Sequence, residues 1–168
     1  MENKKDLRFV KTEKLIEETY ITLRKSSNKP VKVSDLCETA LINKTTFYDH
    51  YENIEFLHKH ICEKTMTEIL SSCPHIEDAF TDTESFVYSL MNALEKNQKI
   101  IKIIFKNDEN AIINNVEECL LKIYFKGDEP ADLKMKMIFA IGGASRLIIK
   151  CRENNCAEET IALLKKLF

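Results

Sequence analysis

The chain has 168 residues, 44% apolar and 31% charged, enough for one bundle-like domain or a small module fused to a larger one. Its formal charge is −2, with 11 Lys and Arg against 10 Asp and Glu in residues 1–60, a net +1 that leaves −3 for the remainder. That balance excludes a global basic field as the means of holding a polyanion, so any nucleic-acid binding has to come from locally placed groups.

Only three glycines and three prolines punctuate the chain, few for a sheet protein, and apolar residues recur at helical spacing nearly throughout. The opening MENKKDLRFVK has no apolar stretch of the secretory type, which points to the cytoplasm. Phe9, Leu15, Ile16, Thr19, Tyr20 and Leu23 mark one face of a first helix, which SSNKP at 26–30 ends. A short helix is expected from about Val33 to Ala40, with Leu36 and Cys37 inward and Ala40 allowing close approach. Leu41-Ile42-Asn43 makes a tight connection, and Asn43 is a good N-cap for a second short helix over Lys44 to His50. The fourth helix starts near Asn53 and runs through Phe56, Leu57, His60, Ile61 and Met66 to about Leu70.

SSCPHIED at 71–78 is the clearest break in the chain. Beyond it, helices are expected at about 82–96, 98–106, 110–126, 131–153 and 157–168, with Pro130 suited to the first turn of the eighth. The longest strictly apolar run, MIFAIGGA at 137–144, is too short to cross a bilayer, so no membrane partner is expected. Nine helices and no alternating strand predict an all-α protein.

Two short helices joined by about three residues, the second polar and aromatic on its outer face, predict helix-turn-helix geometry. Leu36, Cys37, Ala40, Ile42 and Phe47 can bury against the first helix, which leaves Lys44, Thr45, Thr46, Tyr48 and His50 outward. Those side chains are donors suited to phosphate oxygens and base edges. The run Asp35-Leu36-Cys37, Ala40, Ile42-Asn43-Lys44, Thr46-Phe47-Tyr48, His50-Tyr51, Asn53 and Leu57 resembles the N-terminal signature of the TetR/AcrR family of bacterial transcription regulators. The match covers about the first third of the chain. The C-terminal IFAIGGASRLIIKCRENNCAEETIALLKKL is similar to the last two helices of a short-chain subgroup that contains dihydroxyacetone-operon activators.

The resemblance implies a nine-helix architecture, with a DNA-binding head over 1–53 and a helical dimerisation and effector-binding body over 54–168. It implies DNA contacts from Lys32, Asn43, Lys44, Thr45, Thr46, Tyr48 and His50, with Tyr48 and His50 on phosphate. The sequence departs from the family pattern at four positions: Leu41 stands where the turn usually has Gly, and Asn43 replaces Ser. Lys32 replaces a capping Thr, and Ile54 replaces a Lys that usually reaches the DNA backbone. The last two helices of each subunit are expected to pair into a four-helix interface, presenting two recognition helices roughly 34 Å apart to a palindromic operator on double-stranded DNA.

Phe86, Met91, Phe105, Tyr124 and Met137 are candidates to line a cavity for a small apolar effector, although each taken singly is more often plain core. Gly142-Gly143 inside a helical stretch costs on the order of 1 kcal/mol per Gly against Ala. The pair suggests a close helix approach; a subunit interface is favoured, which with Phe139, Arg146 and Leu163 forms the expected dimer surface, and a local kink is the alternative. Of the six cysteines, at 37, 62, 73, 119, 151 and 156, none forms a CxxC or zinc-type pattern. His58 and Cys62 share a helix face while His60 points elsewhere, so a surface-and-core role outweighs a metal site. Cys151 and Cys156 flank a turn that permits a redox pair, but buried structural thiols are the commoner outcome. With no nucleophile triad, paired carboxylates or phosphate loop, the sequence predicts no enzyme and no cofactor. The expected function is a homodimeric, effector-modulated regulator of the kind that usually represses. Alternatives are a regulator whose body binds a partner protein in the manner of a co-activator, and a thiol or metal sensor.

Overall fold

The computed structural model describes residues 7–78, 81–125, 127, 130–154, 158, 159 and 162. Among the described residues the chain is helical, in the order α1 Leu7–Ser26, α2 Val33–Ala40, α3 Lys44–His50, α4 Ile54–Ser71, a 3-10 turn Ile76–Asp78, α5 Thr83–Lys96, α6 Gln98–Phe105, α7 Glu109–Tyr124 and α8 Ala131–Asn154. The ninth helix expected over 157–168 lies outside the described residues, apart from three isolated positions. No described helix is long and apolar enough to cross a membrane.

Two compact units divide the chain inside α4, between Cys62 and Glu63. In the first unit, Ile16 and Tyr20 of α1 meet Leu36, Cys37 and Ala40 of α2 and Phe47 of α3 in one buried core, joined by Leu57 and Ile61 of α4. The face expected for α1 is corrected at one position: Leu15 is exposed, whereas Glu17 is buried. At about 100° per residue, Leu15 lies about 140° from Tyr20 and off the stripe, whereas Glu17 lies about 60° beyond Tyr20, at the edge of the buried face.

α2 ends in a complete left-handed cap. Leu41 has φ 55° and ψ 40°, its N–H reaches the Glu38 carbonyl at 3.3 Å, and the Ile42 N–H reaches the Cys37 carbonyl at 3.0 Å. This double bond pattern satisfies two carbonyls that the helix leaves open. A left-handed conformation costs an L-residue other than Gly or Asn roughly 1–2 kcal/mol, so the turn is strained at Leu41.

In the second unit, Phe86, Leu90 and Leu94 of α5, Ile101 and Ile104 of α6, and Val116 and Leu120 of α7 are buried. Asp82 and Asp108 cap α5 and α7 by accepting from the backbone N–H groups of Ser85 and Ala111. The hydroxyl of Tyr124, at the end of α7, donates to the carbonyl of Ile76 and ties the helix to the 3-10 turn. Four thiols, Cys37 and Cys62 in the first unit and Cys73 and Cys119 in the second, are buried.

Candidate nucleic-acid interface

α3 has seven residues, too few to persist alone in water, so its ends and one anchor hold it. The Asn43 side-chain oxygen accepts from the Thr46 N–H at 2.7 Å and from the Thr46 hydroxyl at 2.9 Å. Phe47 is fully buried beneath the helix, and the Tyr51 N–H closes onto the Phe47 carbonyl at 2.9 Å. With Phe47 fixed inward, the helical period turns Lys44, Thr45 and Tyr48 to solvent. Tyr48 keeps 55% of its surface exposed, which leaves its hydroxyl free to meet a large ligand.

The seven residues expected at the interface are not equivalent. Lys32, Asn43, Lys44, Thr45 and Tyr48 are exposed, while Thr46 and His50 are half-buried. Asn43 and Thr46 satisfy each other, so what remains outward of Asn43 is mainly its amide donor. Lys32 precedes α2 in extended conformation and caps nothing, as its ammonium donor chemistry requires. His50 lies against Phe9 of α1, with ring centroids 3.9 Å apart, and its Nδ1 is buried without a hydrogen-bond partner. Only the other edge of that ring can face outward. Asp49, absent from the expected set, is exposed one turn beyond Thr45. It supplies the outer face of α3 with a carboxylate acceptor, the group that reads a cytosine amine.

A buried polar junction braces this surface. Glu17 of α1 is 7% exposed; its Oε1 accepts from the Tyr51 hydroxyl at 3.2 Å and pairs with His60 Nε2 at 3.2 Å. Tyr51 is the residue that closes α3, and His60 belongs to α4, so one carboxylate joins three elements. Burial, and then the negative charge of Glu17, pushes the Tyr51 phenol well above its ordinary range and keeps it a donor. Sequence reasoning missed the junction because a glutamate on a half-polar helix reads as solvent-facing. The one available signal was its position between Ile16 and Tyr20.

His58 lies 3.6 Å from Cys62 Sγ, while His60 turns to Glu17, as the helical spacing requires. Burial, and then Arg24, lowers the His58 pKa from its ordinary 6.5. Among the described residues no three metal-ligating side chains converge.

The residues expected for effector and dimer belong to the second unit. Phe86 and Phe105 are buried in its core, and Met91 and Tyr124 are half-buried. The Met137 side chain and Leu163 lie outside the described residues. Phe139 stands 79% exposed on α8 beside Met135 at 72%, an apolar stripe open to solvent. Gly143 is on the same side, and a Cβ there would meet nothing within 4 Å. Gly142 differs: a Cβ there would approach the Glu117 carboxylate of α7 at 3.6 Å. Arg146 lies 3.7 Å from that carboxylate. The small residue at 142 therefore has a neighbour within the same chain.

An all-helical chain whose short α2 and α3 are joined by a three-residue turn, followed by a helical body, has the fold of the TetR-type transcription regulators. A TetR transcriptional regulator from Streptococcus agalactiae 2603V superposes with a TM-score of 0.60 at 19% identity, over 94% of this chain and 95% of that one. The chain resembles the HTH-type dhaKLM operon transcriptional activator DhaS of Lactococcus lactis subsp. lactis (strain IL1403), at 27% identity over 125 residues. The matched stretch is 72% of this chain and 65% of that protein, just under two thirds of its length. A solved dihydroxyacetone kinase operon activator DhaS has a TM-score of 0.49 at 19% identity, over 92% and 94% of the two chains. No family model matches the chain. The proteins it resembles are transcription regulators, not enzymes.

Proposed function

We propose that this protein is a sequence-specific, DNA-binding transcription regulator that acts as a homodimer, with its DNA affinity modulated through the body. The observation that carries this reading is the outer face of α3. A helix too short to stabilise itself is capped by Asn43 and anchored by buried Phe47, and it turns Lys44, Thr45 and Tyr48 outward. Lys44 and Thr45 reach base edges or neighbouring phosphates, Tyr48 and the open edge of His50 donate to phosphate oxygens, and Lys32 adds a charge at the start of α2. The head comprises residues 1–53 and is braced by the start of α4; the body is 54–168.

The exposed stripe of α8, Met135, Phe139 and Gly143, supports pairing with a second copy, the expected Arg146 at its edge. A two-fold pair sets two copies of α3 into successive major grooves, roughly 34 Å apart. A small apolar effector acts by preferring one spacing of the heads, and its leverage is limited to its differential affinity for the two states. Selection of bound duplexes from a random library tests the reading. A palindrome with two half-sites one helical turn apart is expected, and failure to enrich any common sequence would overturn it.

A second reading is favoured by the lactococcal relative, which is a transcriptional activator. In that reading the output is activation, and the body binds a partner protein instead of a small molecule. Co-elution of a candidate partner with the dimer on size exclusion supports it, whereas saturable binding of a small apolar ligand in the body favours the first.

A further inference from the structure

Leu41 presents a conflict that the fold alone does not resolve. It is 92% exposed, the most exposed large apolar side chain among the described residues. It also occupies a left-handed backbone conformation that glycine takes without steric cost. Two hydrogen bonds of the α2 cap fix that conformation, so the side chain cannot swing inward. The protomer gains neither burial nor conformational ease from leucine at this point. Whatever the isobutyl group contributes arises when something else covers it.

The position of the turn indicates what that is. Leu41 leads through Ile42 and the Asn43 cap directly into Lys44 and Thr45, the exposed polar start of α3. When a helix-turn-helix docks, the recognition helix enters the major groove by that same end, and the turn before it comes with it. The one apolar feature a major groove presents is the thymine 5-methyl group. Resting on the DNA-binding reading above, we infer that Leu41 is a specificity-determining residue, packing its side chain on a thymine methyl in each half-site.

Glycine makes an unusually clean probe, because Leu41→Gly deletes the side chain while relieving the backbone. The variant is expected to fold at least as stably as the parent. The parent protein is expected to select a thymine at one fixed position per half-site, and Leu41→Gly to select the same palindrome with that position relaxed. Replacing that thymine with deoxyuridine removes only the methyl; it should weaken the parent about fourfold, the value of one buried methyl-sized group, and leave Leu41→Gly unchanged. Leu41→Ala keeps the strained turn and should match Leu41→Gly on DNA while matching the parent more closely in unfolding midpoint. Identical base preferences and equal deoxyuridine responses in parent and Leu41→Gly would overturn the inference and leave DNA binding intact. A parent that enriches no sequence overturns the DNA-binding reading itself, and the inference with it.

Discussion

Glu17 is a buried charged side chain shared by three elements, and its removal should be felt at all of them at once. Glu17→Ala leaves the Tyr51 hydroxyl without its acceptor and takes the anionic partner from His60. A buried donor left unsatisfied costs roughly 1–3 kcal/mol, so the urea midpoint should fall accordingly. Glu17→Gln, whose carbonyl still accepts from Tyr51, should lose less, and equal losses would show that charge alone matters. His58 gives a pH-dependent counterpart. Its folded pKa lies below the ordinary 6.5, so its contribution is fully present above that value and is lost as pH falls through the folded one. Urea titrations between pH 7 and 5 should show a decline that is shallower in His58→Gln. At this scale, residues with local jobs were legible: Asn43 read as a cap because its geometry depends only on the next three residues. Glu17 was not, because its partners lie 34 and 43 residues away in sequence.

The element boundaries of α2 and α3 fall where the sequence places them, since Pro30, Asn43 and the apolar spacing confine each helix from both sides. The cause of the glycine pair in α8 was harder to read, because sequence gives two glycines on different sides of one helix a single explanation. Gly142 faces Glu117 of α7, whereas a Cβ at Gly143 would meet nothing within 4 Å. Gly142→Ala makes an ordinary van der Waals contact and should raise thermal stability by up to about 1 kcal/mol, with the dimerisation constant unchanged. Gly143→Ala should weaken dimerisation in sedimentation equilibrium if a second helix approaches there. Unaltered association would assign that approach to another part of α8.

At the scale of the whole molecule, the proposed function requires self-association, which would turn two weak heads into one operator-binding unit. Phe139, four-fifths exposed in the protomer, is the natural place to break it. Phe139→Glu should sediment as a monomer with its helical circular dichroism intact and lose palindrome binding. A dimer that survives would move the interface away from this stripe. The all-helical fold was legible because helical periodicity runs nearly the length of the chain. The division inside α4 was not, because a continuous helix gives no compositional sign of where its packing partners change.

The buried thiols have a practical consequence. Burial raises the pKa of Cys37 in the first unit and of Cys73 and Cys119 in the second, so folded chains should resist alkylation at neutral pH. Pulse labelling with iodoacetamide during a denaturant ramp, read peptide by peptide, should therefore time the melting of each half separately. Simultaneous labelling at all three sulfurs would mean that the halves unfold as one cooperative body, and staggered labelling would rank which half gives way first.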